Sequence, residues 1–338
     1  MHETLIVRLP NWLGDTVMAV PALRALRAAR PEARIVLVGP WATCLTGQGL
    51  GDVLVPYGRS WSARLARWDE IRGFGAAAAL LLPNSLEAAI AAWYWRAPRR
   101  IGLDAGARRR LLTDAIPMPE PREHQVDEYA RVVAGLGVAV DDRVPSLAPP
   151  PDDAPERATV RGLLRETGVG GDGRTIVAVH LGAAFGPSKL WPAERIAELC
   201  RLLAGRGQVP VLLGARDDAD LAARLVADTG VASLVGRDGP DLLTAVLAEV
   251  DALVCGDTGV GHLAAALGTP VAALFGPTDP RLSAPRGRVR VLVHPVPCSP
   301  CFYRVCPIEH PCLRGIEAVR VGDALTGLTA TAASPARR

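Results

Sequence analysis

One lysine, two asparagines and two aspartates, all in loops bounded by glycine or proline, carry most of the chemistry this sequence offers. Of its 38 basic residues only Lys189 is lysine, and Asn11 and Asn84 are the only asparagines. A chain so rich in Ala, Arg, Gly and Pro keeps lysine where arginine will not serve, because a compact ammonium and a planar guanidinium are not equivalent. Lys189 stands in the loop Leu181-Gly182-Ala183-Ala184-Phe185-Gly186-Pro187-Ser188-Lys189-Leu190-Trp191-Pro192, after the apolar run Thr175 to His180. The spacing fails GxxxxGK[ST] and Leu190 follows the lysine, so this is not a P-loop. A second loop, Gly256-Asp257-Thr258-Gly259-Val260-Gly261-His262, joins the apolar run Ala252 to Cys255 to a small-residue helix, Val260 to Leu267, stopped by Gly268 and Pro270. Unpaired N–H groups and the helix dipole at such a turn favour an anion, and Gly259 and Gly261 leave no side chain in a phosphate's way. The plainer alternative is a strand-to-helix turn with Asp257 or Thr258 as its N-cap. Asp257 would repel a phosphate, and is better suited to orienting Lys189 or to bonding a ribose or the turn amides.

These loops need strands and helices to hold them. Leu5 to Leu9 reads as a strand opening into Pro10-Asn11-Trp12-Leu13-Gly14-Asp15. A helix follows from Thr16 to Arg30, with Val17, Val20, Leu23 and Leu26 at helical spacing, and Arg34 to Val38 is the next strand. This is a βαβ unit, whose site lies off the carboxyl ends of its strands. Asp15 falls at that edge, either as a functional carboxylate or as an ordinary first-turn acid. Ala77 to Leu82 is another buried strand followed by a polar loop, Pro83-Asn84-Ser85, and Gln125 to Leu136 reads as a helix. In the second half Val209 to Gly214 and Val271 to Phe275 are strands, another ends at Leu234-Val235-Gly236, and Pro192 fits the first position of a helix over Ala193 to Leu203. Arg99, Arg100, Arg108, Arg109 and Arg110 cluster about a glycine turn, as a solvated face or a surface for anionic lipid or substrate.

At 338 residues the chain suggests two domains. Five prolines in the eleven residues Pro145 to Pro155 mark the linker between domains 1–148 and 149–338. No short repeat is visible, although the second half restarts the βα alternation. The apolar runs fall short of a membrane span, and no signal-peptide core precedes the first strand, so a cytoplasmic chain without transmembrane segments is expected. A net charge of +3 gives no argument for nucleic acid. Cys44, Cys200 and Cys255 are scattered, whereas Cys298, Cys301, Cys306 and Cys312 stand as C-x2-C-x4-C-x5-C with His294 and His310 nearby. They read equally as a small structural zinc knob or as unmetallated thiols. Four ligands would close such a site, so it is not expected to be catalytic.

Taken together, Pro10 to Asp15, Leu82-Pro83-Asn84-Ser85, Gly182 to Pro192, and Gly256 to His262 through Gly276-Pro277 resemble glycosyltransferase family 9, the ADP-heptose:lipopolysaccharide heptosyltransferases, and within it the type II branch. The resemblance covers nearly the whole chain. It implies an α/β fold of the GT-B type, two Rossmann-like doubly wound domains facing across a cleft. It also implies inverting, metal-independent sugar transfer from ADP-heptose to a lipid A-core acceptor at the inner face of the inner membrane, with no catalytic cofactor. Asp15 matches the general base and Lys189 the lysine near the donor diphosphate. Asp257, Thr258, Gly259 and His262 match the nucleotide-binding turn, with Gly182 and Ser188 on the donor side. Asn11, Asn84 and Ser85 fall on the acceptor side. Type I heptosyl transfer, another sugar transfer within the family, nucleotide-sugar epimerisation and simple sugar-nucleotide binding are the competing readings, separated by whether ADP release requires an acceptor.

Overall fold

The computed structural model describes residues 3–171 and 173–330. The chain divides into two compact units, Met1–Pro145 and Ser146–Arg338, the change falling at the first proline of the proline-rich stretch. The first unit runs β1 (Thr4–Arg8), α1 (Leu13–Met18), α2 (Val20–Ala29), β2 (Arg34–Gly39), β3 (Val53–Pro56), α3 (Trp61–Gly73), β4 (Ala78–Leu81), α4 (Leu86–Tyr94), β5 (Arg99–Leu103), β6 (Asp114–Ile116) and α5 (Gln125–Ala134). Its six strands are all parallel, in the order β3-β2-β1-β4-β5-β6. Helices on both faces bury the strands, so these read as continuous apolar runs; Leu5, Ile6 and Val7 of β1 are fully buried. The single helix expected over Thr16 to Arg30 is two. Pro21 has no N–H for the helical ladder, and the chain turns at Ala19, the C-cap of α1 and N-cap of α2.

The second unit runs α6 (Pro155–Glu166), β7 (Ile176–His180), α7 (Ala193–Gly205), β8 (Val209–Leu213), α8 (Ala219–Thr229), β9 (Ala232–Ser233), α9 (Leu243–Glu249), β10 (Ala252–Gly256), α10 (Gly259–Ala266), β11 (Val271–Phe275), α11 (Pro280–Ser283), β12 (Val289–Val293), α12 (Pro311–Arg314) and α13 (Ala318–Ala330). Its strands are parallel too, in the order β12-β11-β10-β7-β8-β9. Counted from its own first strand this is 6-5-4-1-2-3, the same doubly wound order as the first unit. The strand expected to end at Leu234-Val235-Gly236 is shorter, only Ala232–Ser233. Pro192 occupies the N-cap of α7, one position before the expected one, with an extended ψ of 139°. No described helix is long and apolar enough to cross a membrane.

In each sheet the order reverses once, between β1 and β4 and between β7 and β10. The connections on either side of that point leave in opposite directions, so the loops beyond the carboxyl ends part and leave a crevice. Both Pro10 to Asp15 and Pro83 to Ser85 follow the switch-point strands of the first unit, and Leu181 to Lys189 and Asp257 to Gly259 follow those of the second.

The same edge of the second sheet holds a buried acid. Asp238 accepts the Gly214 N–H at 3.0 Å, and burial, aided by the Asp218 charge, pushes its carboxyl up to about 6. The folded protein therefore keeps this proton over a range where the unfolded chain, titrating near 3.8, has released it. Stability from this group is complete below the unfolded value and is lost as pH rises through 6. Asp238→Asn should flatten the fall in stability between pH 4 and 6.5, gaining about 2–3 kcal/mol on the parent at pH 7. Urea denaturation across that range measures it.

Candidate functional site

In the first unit the loop before Asp15 is pinned from below by buried charge. Arg8, fully buried at the end of β1, donates from Nη1 to the Leu9 carbonyl and from Nη2 to Asn11 Oδ1 at 2.7 Å. Arg64 of α3 reaches the same amide oxygen at 3.3 Å and forms an ion pair with Glu87 Oε2 at 2.8 Å. Glu87, in the first turn of α4, accepts the Tyr57 hydroxyl at 3.0 Å, and Trp68 Nε1 donates to that hydroxyl at 2.7 Å. Both guanidiniums lie over the Tyr57 ring, at 4.6 Å and 5.6 Å. Burial lowers the Arg8 pKa, Glu87 opposing the effect. Asn11, expected on the acceptor side, thus spends its carbonyl oxygen on two arginines. Its role here is to fix Pro10-Asn11-Trp12, the lead-in to α1.

Asp15 lies in the first turn of α1, half-buried, while the neighbouring Thr16 is fully buried and returns its hydroxyl to the Trp12 carbonyl at 3.0 Å. Behind it stands Tyr129 of α5. Burial first, then the Asp15 and Glu128 charges, hold this phenol protonated well beyond its ordinary range. A carboxylate in the first helical turn beyond the carboxyl end of β1 is chemically suited to accepting a proton.

The second switch-point loop of this unit holds Asn84 and Ser85. Ser85 caps α4 by accepting the Ala88 N–H at 3.2 Å, which occupies its oxygen locally. Asn84 Oδ1 is buried with no partner. Beneath the loop lies Arg108, donating from Nη1 to the Pro83 carbonyl, with Nε and Nη2 unpartnered and its pKa pushed down to about 10 by burial. Gly102 is required opposite it, since a Cβ there would overlap Nη2. Arg109 and Arg110 of the same run are exposed, so the solvated-face reading fails for Arg108 alone. A run of three arginines gives no hint of which one turns inward.

In the second unit the two expected donor-side loops meet. Lys189 Nζ donates to Asp257 Oδ2 at 2.5 Å and to the Asp257 carbonyl at 3.2 Å. Thr278, in the loop after β11, donates to the same Oδ2 at 2.7 Å. The Lys189 carbonyl rests on Gly256, where a Cβ would lie 2.8 Å from it. Asp257 therefore orients the ammonium, the first of the roles its charge allows. Thr258 occupies the N-cap of α10 but its side chain caps nothing. The first-turn amides of Gly259 and Val260 are left as donors, and His262 is buried one turn further on. Gly182 has no room for a side chain because Asp218 Oδ2 packs against it. His180, at the end of β7, was not among the expected residues. Its Nδ1 is buried and unpartnered, and burial lowers its pKa to about 4, so the ring is neutral at neutral pH.

Ser188 is nearly inaccessible; its hydroxyl donates to the Tyr303 carbonyl at 2.6 Å and its N–H to the Arg304 carbonyl at 3.1 Å. The cysteine-rich segment is thus a strap across the loop that carries Lys189. It is also tied to the Gly276-Pro277 loop, through Cys301 N–H to the Pro277 carbonyl at 3.0 Å and Ser299 Oγ to the Gly276 carbonyl at 2.6 Å. Cys298, Cys301, Cys306 and Cys312 are free thiols; Cys312 is buried, which raises its pKa, while Cys298 is exposed. Among the described residues no group of three or more His, Cys, Asp or Glu is placed to hold a metal ion.

Residues 64–311 match the family model described as glycosyltransferase family 9 (heptosyltransferase). Lipopolysaccharide heptosyltransferase 2 of Salmonella typhimurium is 28% identical over 307 residues, 83% of this chain and 85% of that protein. The solved ADP-heptose LPS heptosyltransferase II of E. coli superposes with a TM-score of 0.80 at 24% identity, covering 98% of this chain and 100% of the other. An E. coli heptosyltransferase solved with ADP gives 0.71 at 19% identity, covering 96% and 99%. The shared fold is GT-B type, with two Rossmann-like units.

The Arg8–Arg64–Glu87 network generates a stability prediction. Removing Glu87 leaves two buried guanidiniums without their counter-ion, so Glu87→Ala should cost about 3–5 kcal/mol. Glu87→Gln, which keeps an acceptor for Tyr57, should cost less. Chemical denaturation of the three proteins gives the comparison.

Proposed function

The chain belongs to glycosyltransferase family 9, and from that premise we propose that it transfers heptose from ADP-heptose to a sugar hydroxyl of a lipid A-core acceptor, as the type II heptosyltransferases do. The observation that carries this reading is Lys189, held by Asp257, whose carboxylate also accepts from Thr278, beside the uncapped first turn of α10. That arrangement suits a diphosphate, with an ammonium aimed by a carboxylate and backbone N–H groups that no side chain occupies.

In the proposed reaction the acceptor oxygen attacks the anomeric carbon as the bond from that carbon to the diphosphate oxygen breaks, inverting the centre. Asp15 takes the hydroxyl proton, and ADP leaves with the bonding electron pair. Lys189 and the α10 amides stabilise the charge growing on the diphosphate, so the proposed reaction routes no step through a metal. His180, neutral at neutral pH, adds no positive charge to that end of the sheet. The lipid-borne acceptor brings the enzyme to the inner face of the inner membrane from the cytoplasm.

The test is release of ADP from ADP-heptose with and without lipid A-core acceptor; release that ignores the acceptor overturns the reading. Asp15→Asn should keep donor binding and lower turnover roughly 10²–10⁴-fold. Lys189→Ala should lose roughly 10²–10³-fold. Lys189→Arg should also fail, since a planar fork does not fit the contacts Lys189 makes with Asp257. Turnover and ADP affinity, with circular dichroism to verify folding, measure all three.

A further inference from the structure

The strap contributes more than a brace. Arg304, at its middle, donates from Nε to the Phe185 carbonyl at 2.8 Å, and its guanidinium carbon lies 5.7 Å from the centre of the Phe185 ring. Lys189 Nζ lies 4.6 Å from the same centre. Two cations therefore share one aromatic ring, a contact that attracts each of them while their own charges repel. The backbone holds them there. Ser188 N–H bonds the Arg304 carbonyl, and at Gly186, whose φ is +150°, a Cβ would come within 2.6 Å of that carbonyl oxygen. Only glycine lets the two chains approach so closely.

The charge balance at this place is uneven. Lys189 is matched by Asp257, whereas Arg304 has no carboxylate partner among the described residues, and it is exposed. Among the described residues its guanidinium makes one hydrogen bond, from Nε, leaving the two Nη groups as a fork of donors. A nucleoside diphosphate brings more negative charge than one already-paired ammonium can balance.

We propose that Arg304 is a second cationic contact for the donor's diphosphate, carried to the Lys189 loop by the cysteine-rich strap. This rests on the reading of the second unit as the nucleotide-sugar side. It deepens that reading by assigning a binding residue outside the four motif loops. Because the Phe185 carbonyl and ring hold the guanidinium, and the Ser188 N–H holds the Arg304 backbone, before any ligand arrives, little ordering is left for binding to cost.

Calorimetric titration of ADP and of adenosine into the full-length parent, Arg304→Gln and Arg304→Lys tests the proposal. Gln keeps an N–H for the Phe185 carbonyl and removes the charge; Lys keeps the charge. Arg304→Gln should weaken ADP roughly tenfold or more, leave adenosine within about twofold, and flatten the salt dependence of ADP binding. Arg304→Lys should recover part of the ADP affinity. Unchanged ADP affinity in Arg304→Gln overturns the proposal, as does an equal loss for ADP and adenosine, which would mark the residue as a brace only. A parent that binds no ADP overturns the donor reading itself. Melting curves identify a variant that has lost its fold, in which case the comparison of Arg304→Lys with the parent decides: an ADP affinity unchanged, or lowered together with adenosine, overturns the proposal.

Discussion

Parallel strands wound in both directions from one point cannot keep their loops together there, and everything functional in this molecule follows from that constraint. The connections from β1 and β4 depart to opposite sides of the first sheet, as those from β7 and β10 do in the second. Backbone N–H groups at the starts of the following helices then lack neighbours, and polar side chains on the parted loops have room to act. All four motif loops fall at these two places. The chemistry is therefore concentrated by topology before any particular side chain is considered.

The loops still need rigid seats, and the two units supply them by different physics. In the first, the seat is electrostatic and buried. Arg8, Arg64 and Glu87 tie β1, α3 and α4 around the ring of Tyr57, and the amide of Asn11 completes the network. Such a network stabilises little relative to an apolar core, because desolvation offsets the attraction. Its effect is specificity: a single position for the loop that precedes Asp15. In the second unit the seat is backbone. Glycines at 182, 186 and 256 allow approaches a Cβ would forbid, and main-chain bonds join the strap to the loops after β7 and β11.

This difference explains why the lone lysine stands in the second unit. Arg8 and Arg108 are tolerated under the first sheet's loops because guanidinium is weakly hydrated and spreads its charge over a planar group. Lys189 instead faces one carboxylate oxygen and one carbonyl at close range, a geometry for a point charge with rotatable donors.

The sequence alone determined the elements and their motifs. Apolar runs marked the central strands of both sheets, because strands buried on both faces must be continuously hydrophobic, whereas the outer strands β3, β5, β6 and β12 went unmarked; glycine and proline marked many of the turns. The residues at the sheet edges, Asp15, Asn84, Lys189 and Asp257, were legible for the same reason: polar types directly after such runs stand out. Tertiary structure alone decided which internal partners these residues have. Asn11, Ser85 and Ser188, expected on the acceptor or donor side, bond Arg8, the Ala88 N–H and the Tyr303 carbonyl. Arg108 looked solvated and is buried. The cysteine-rich segment reads from the sequence as a small zinc knob or as unmetallated thiols, and only the fold shows that it straps the Lys189 loop. The repeat of one sheet order in both units left no short sequence repeat, only a restarted βα alternation, since topology depends on strand direction and connection and not on side-chain identity. Hydrophobic periodicity is local and can be read along the chain; hydrogen bonds between residues more than a hundred positions apart, such as Ser188 to Tyr303, exist only once the chain has folded.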